Sequence, residues 1–116
     1  MEKKDLISLA KMIEYIEHIQ QYTNGINDKI EFQNNVMCLE AVCFDIIQIG
    51  ELAKDGLRAD LKQTITSIPW NQINGLRNRI VHGYGDIDHT IIWDVVKEDL
   101  PALKSELENI IKSKYK

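Results

Sequence analysis

Long apolar runs are missing from this chain. No window approaches the eighteen or so consecutive apolar residues that a membrane-spanning helix needs. The amino terminus, Met1-Glu2-Lys3-Lys4-Asp5, lacks the apolar core of a secretory leader, so the chain is expected in the cytoplasm. Cysteine is scarce as well. Cys38 and Cys43 stand five apart in one helical stretch and point to different sides, so neither a disulfide nor a metal site follows, and both read as small hydrophobes. Repeats, low-complexity tracts, a glycine-rich phosphate loop and a metal-ligand cluster are all absent from the sequence. An excess of positive charge is absent too: 14 Lys and Arg against 18 Asp and Glu leave a formal net charge of -4. That argues against indiscriminate binding of nucleic acid, which rests on neutralising phosphates.

What is there is helical patterning throughout. The 116 residues, 44% hydrophobic and 28% charged, suit a single domain over residues 1–116 with a modest core. Leu6, Leu9, Ile13 and Ile16 recur at three and four, which predicts an amphipathic helix over residues 4–22, closed by Asn24-Gly25. Asp28 with Glu31 three residues later makes a capping-box start, and one long helix is predicted over residues 28–54. Val36, Leu39, Cys43, Ile46, Gly50 and Ala53 line one face of it, while Met37, Ala41, Phe44 and Leu52 make the other side apolar too. A helix apolar most of the way round must be covered on both sides. A four-helix monomer covers only one, so a partner is implied. Gly50 costs about 1 kcal/mol relative to alanine inside a helix, and close approach of another helix is the expected return. Asp45, Gln48 and Glu51 interrupt the apolar surface; exposed edge positions are expected, with orientation of Arg77 or His82 as the alternative.

A short helix is predicted over residues 58–63. Asp88 is a good N-cap for a last helical region through Ile111, with a kink or fresh start near Asp99 because Pro101 removes a backbone hydrogen bond. Lys112, Lys114 and Lys116 form a solvated end that suits the negative helix terminus. His18 and His89 are expected at the surface.

Nothing else is as chemically dense as Arg77-Asn78-Arg79-Ile80-Val81-His82-Gly83-Tyr84. Pro69 fits the first turn of a helix over residues 69–82, with Ser67 or Ile68 as N-cap. Trp70, Ile73, Leu76, Ile80 and Val81 form an apolar arc on it, Asn71, Gly75, Asn78 and His82 a small polar stripe suited to contact, and Arg79 points to water. Histidine, with an ordinary pKa of about 6.5, suits acid and base work. Asn78 at i, i+4 from His82 is placed to hydrogen-bond the imidazole. The planar guanidinium of Arg77 suits a phosphate and the charge that develops in phosphoryl transfer. His plus Arg therefore suggests phosphodiester chemistry without a metal. Residues five apart on a straight helix are separated by roughly 140°, so one chain does not aim Arg77 and His82 at one spot. Either the helix unwinds at Gly83 or a second copy completes the site across a two-fold axis.

The order Arg77, Asn78, His82, Tyr84 resembles the signature of the HEPN superfamily and, more narrowly, of the HepT-like toxin family. Ile49-Gly50-Glu51-Leu52-Ala53, Ile68-Pro69-Trp70, Ile87-Asp88, Trp93 and Lys97-Glu98-Asp99-Leu100-Pro101 are similar to that family's landmarks, in order. The resemblance implies an all-α fold, a HEPN-like up-down bundle of four to five helices forming a two-fold homodimer. It also implies a metal-independent endoribonuclease, the toxin of a toxin–antitoxin pair, with RNA as substrate, no cofactor, and a minimal nucleotidyltransferase as antitoxin partner. Carried over, Arg77 and His82 would be catalytic, Asn78 would support His82, and Tyr84 would receive AMP from the antitoxin. Tyr84 is expected on a mobile, accessible loop between Gly83 and Gly85. Gly83, Gly85 and Asp86 stand where relatives often carry an acidic residue, an aromatic and a glycine. The rivals are a non-catalytic dimeric module that binds a nucleotide or a nucleotidyltransferase through Arg77 and His82, and a purely structural dimerising bundle.

Overall fold

The computed structural model describes residues 1–114. Helix α1 spans Lys3–Thr23 and ends at Asn24, followed by Gly25 at φ 93°, a left-handed conformation that glycine adopts without strain. The single helix expected over residues 28–54 is two. α2, Lys29–Asn34, starts at Asp28, whose Oδ1 accepts from the Glu31 N–H at 2.8 Å. α3, Val36–Asp55, starts anew at Asn35, whose Oδ1 accepts from the Cys38 N–H at 3.1 Å. An asparagine side chain competes for backbone donors and so favours caps over helix interiors. The break lets Phe32 turn inward, fully buried, with its ring 5.2 Å from that of Trp93.

The short helix after Gly56 is α4, Ala59–Thr64. The motif helix α5 spans Trp70–Gly83, so Pro69 sits just outside it as the N-cap residue rather than in its first turn. Asp88 caps α6, His89–Asp94, accepting from the Thr90 N–H at 2.9 Å. A wide π turn, Val95–Asp99, follows and leads into α7, Leu100–Lys114. The disturbance expected from Pro101 is this turn. Its i to i+5 bond, Leu100 N–H to Val95 carbonyl, absorbs one residue just before the proline that cannot donate. Lys112 is exposed as expected; Lys116 lies outside the described residues.

The four long helices α1, α3, α5 and α7 make the all-α bundle. Antiparallel order is set at both ends of α1 and α3: the Ser8 hydroxyl donates to the Gly56 carbonyl at 2.7 Å, and the Cys38 thiol to the Tyr22 carbonyl at 3.4 Å. Leu9, Met12, Ile16, Val42, Ile92 and Leu107 are fully buried between them. The Cα envelope measures 43 × 29 × 19 Å. With helices about 10–12 Å across, that depth holds two layers, so α3 is covered on one side only. No helix is long and apolar enough to cross a membrane, among the described residues.

Two buried acids have opposite electrostatics. Asp5, fully buried, would be raised by desolvation, but the Arg58 side chain at 2.9 Å and the Arg58 and Glu2 N–H groups hold its carboxyl below the ordinary value. Asp45 is buried, not an edge residue as expected. Burial pushes it up, His18 of α1 draws it partly back, and its Oδ2 has no hydrogen-bond partner. His18 is itself half-buried, between the rings of Tyr15 and Tyr22.

A depressed acid adds stability that is complete above the ordinary carboxylate pKa of about 4 and is lost as pH falls through the folded value. A raised acid does the reverse, its penalty setting in as pH rises from the ordinary value toward the folded one. Urea unfolding at pH 7 should therefore find Asp5→Asn destabilised by roughly 2 kcal/mol and Asp45→Asn stabilised by roughly 1 kcal/mol, both gaps narrowing in acid. A gap for Asp5→Asn that widened in acid would contradict the assignment.

Candidate functional site

The motif helix lies antiparallel on α3, and the closest point of that seam is Gly50 against Arg77. A Cβ at position 50 would stand 2.5 Å from the Arg77 Cβ and 2.7 Å from its Cγ. The sequence expectation that Gly50 admits another helix is met, and the group admitted is the base of the motif arginine. From there the guanidinium runs to two acceptors. Its Nη2 pairs with the Glu51 carboxylate, and its Nη1 donates to Asn78 Oδ1 at 2.8 Å. Its Nε is buried with no acceptor, and Asn74 Oδ1, one turn earlier on the same helix, is buried with no donor.

Two expectations are corrected here. Glu51 is not an idle edge residue but the ionic partner of Arg77. Asn78 does not turn its carboxamide oxygen to His82; Arg77 takes it. His82, one turn beyond Asn78, is exposed and has no hydrogen bond or ion pair among the described residues. Arg79 is exposed, as expected. Arg77 and His82 thus leave α5 in different directions, one into the α3 seam and one into solvent.

Tyr84 is better held than its flanking glycines suggest. The turn after α5 closes with Asp86 and Ile87 N–H groups both donating to the Gly83 carbonyl, at 2.9 and 3.0 Å. The Tyr84 ring is half-buried and lies 4.9 Å from the His89 ring, while His89 Nε2 is 3.2 Å from the Tyr84 carbonyl. His89 is therefore half-buried rather than at the surface. Burial pushes the Tyr84 phenol up, helped by Cys43 and Glu40 of α3. Burial likewise pushes Cys43 up to about 11, with Glu40 adding to it, and raises Cys38, so both are inert thiols packed as small hydrophobes. Among the described residues, no group of three or more His, Cys, Asp or Glu side chains is arranged to hold a metal ion.

The surface beside the seam is apolar. Met37, Phe44 and Glu51 repeat every seven residues and so share one stripe of α3. Glu51 touches Arg77, which places that stripe along α5. Met37 is 86% exposed and Phe44 59%, and Val81, one turn beyond Arg77, is 42% exposed. A concavity of about 200 Å³ lies between α3, the start of α5 and α7, lined by Ile49, Ile68, Leu76 and Leu103. Asp99 and Glu106 also line it, an arrangement unsuited to phosphate.

Because Arg77 Cβ is fixed to the helix backbone, Gly50→Ala forces α5 away from α3 instead of moving a flexible side chain. Overpacking of this kind costs about 1–3 kcal/mol. The expected result is a lowered melting temperature together with weakened function of the Arg77 site; an alanine variant as stable and active as the wild type would show that the seam is looser than described.

The chain is also similar to known proteins over most of its length. The family described as HepT-like, Ribonuclease HepT-like, matches residues 12–110. A Methanocaldococcus jannaschii protein with a provisional RNase name is similar, 35% identical over 93% of this chain and 98% of its own. A Thermococcus cleftensis protein named probable ribonuclease HepT is 32% identical over 90% of this chain and 93% of its own. No solved structure matches the chain. With the motif helix, its arginine seam and the family match running over nearly the whole bundle, the chain belongs to the HepT-like ribonuclease family.

Proposed function

We propose that the protein is an endoribonuclease that cuts RNA without a metal ion, acts as a two-fold homodimer, and is the toxin of a toxin–antitoxin pair. One observation carries the reading: the α5 face bearing Asn74, Asn78, Val81 and His82 continues into the uncovered apolar stripe of α3. A second copy laid on that face would cover Met37 and Phe44 and bring two Arg77 and two His82 around one cleft. This resolves the divergence of Arg77 and His82 within one chain. The family membership and the RNase names of its relatives support the RNA-cleaving part of this reading.

In the cleft, His82 takes the proton from a ribose 2′-hydroxyl, whose oxygen attacks the adjacent phosphorus; the bond to the 5′-oxygen breaks, and a second imidazole returns a proton to that leaving oxygen. Arg77 holds the phosphate and stabilises the negative charge on its equatorial oxygens. Tyr84 lies at the end of the same helix. A nucleotidyltransferase would join its phenol oxygen to the α-phosphorus of ATP, releasing pyrophosphate, and the added anion would occupy the cleft beside Arg77. Since burial favours the neutral phenol, the transferase must supply the base.

Wild-type protein should cut labelled RNA in EDTA and spare DNA. His82→Ala should lower the rate about 10²–10⁴-fold and Arg77→Ala about 10²–10³-fold with the helical content unchanged. No cleavage by the wild type would favour the non-catalytic binding module instead.

Phe44→Asp puts a charge into the proposed dimer face and should give a monomer by analytical ultracentrifugation, with cleavage lost alongside. A fully active monomer would rule out the shared cleft. For the antitoxin, Tyr84→Phe should remain toxic in the presence of the transferase and ATP; silencing of that variant would place control elsewhere.

A further inference from the structure

We propose that Glu51 is a latch on Arg77, so that an RNA phosphate binds only by displacing the Glu51 carboxylate; the inference rests on the ribonuclease reading for its substrate. Both terminal nitrogens of the guanidinium already carry an acceptor. Nη2 holds Glu51, Nη1 holds Asn78 Oδ1, and Nε is shut away from solvent without an acceptor. A phosphate gripped by a guanidinium needs two N–H groups on one edge. Every edge of the guanidinium includes a terminal nitrogen already paired with Glu51 or Asn78, and two anions on one guanidinium repel each other.

The moving part is identifiable. Arg77 is fixed by its Cβ and Cγ against Gly50 and is 19% exposed, whereas the Glu51 side chain is 38% exposed and has solvent to swing into. Asn78 is a neutral acceptor and does not compete by charge. A partly exposed pair of this kind contributes little to stability, so a purely structural role would leave Glu51 with little to do. A latch has a clear consequence in a chain of net charge -4: a lone phosphate does not displace the carboxylate, while a strand that also gains contacts elsewhere in the cleft does. Selectivity then comes from an intramolecular competitor as well as from attraction.

The test measures kcat, KM and Kd for the wild type, Glu51→Gln and Asp55→Asn. Asp55 is exposed one turn along α3 and removes the same charge without touching Arg77. Cleavage of a fluorescent RNA in EDTA gives kcat and KM. Anisotropy with a 2′-O-methyl oligonucleotide of the same sequence, which offers no 2′-hydroxyl to react, gives Kd. Glu51→Gln should lower KM and Kd about tenfold with kcat within about twofold, and Asp55→Asn should leave all three within about twofold. Glu51→Ala, which removes the acceptor as well as the charge, should lower Kd at least as far, and circular dichroism reports whether each variant keeps its helices. An unchanged or raised Kd in the Glu51 variants overturns the latch, as does a fall in kcat at unchanged Kd, which would make Glu51 a positioning residue. If the wild type cuts no RNA, the ribonuclease reading fails and the anisotropy decides alone: tighter binding by Glu51→Gln supports the latch, and equal or absent binding overturns it.

Discussion

Close contact between α3 and α5 at Gly50 is the constraint on which the rest of the site depends. Only a residue without a Cβ lets the Arg77 carbons lie against the α3 backbone. That contact fixes the depth and direction of the guanidinium, brings Glu51 to one of its terminal nitrogens, and leaves Asn78 to take the other. It also decides which side of α5 stays open. With the Arg77 side in the seam, His82 faces outward, next to a stripe of α3 that the monomer does not cover.

Charge is distributed in a way that suits an acidic protein handling an anion. The acid most deeply buried, Asp5, is fully paired at the corner where α1 meets Arg58, and supports the fold away from the motif. Asp45 lies in the α1–α3 layer and favours its neutral form. Among the described residues, only Glu51 places a carboxylate on the motif arginine. That guanidinium is thus held by an acid that solvent can receive, and neither Asp5 nor Asp45 contacts it.

Much of this was legible in the chain, and the rest was not for definite reasons. The amphipathic period gave α1, and local capping chemistry gave the starts at Asp28 and Asp88, because a cap is settled by residues three or four apart. The need for a close approach at Gly50 was readable from a glycine inside a helical pattern, and the excess apolar surface at Met37 and Phe44 from the helix wheel. The break at Asn35 was missed because an apolar pattern continues through it while one side chain captures a backbone donor. Sequence reading puts Glu51 at an edge, with contact to Arg77 only as the alternative, and His89 at the surface, because both are defined by partners on other elements, Arg77 and Tyr84, and periodicity carries no information on which helix comes alongside. Asn78 was assigned to His82 by i, i+4 spacing alone. The neighbouring guanidinium, a charged donor, is the stronger partner, and only the seam geometry brings it within reach.

The proposed activity breaks RNA through the ribose 2′-hydroxyl, with imidazole and guanidinium in place of a metal. The ends left on the products report the route directly. Mass spectrometry of a short RNA digested by the wild type in EDTA should find 2′,3′-cyclic phosphates, or the monophosphates they open to, paired with 5′-hydroxyl ends. Fragments with 3′-hydroxyl and 5′-phosphate ends would mean that water attacked the phosphorus instead, and would contradict the account.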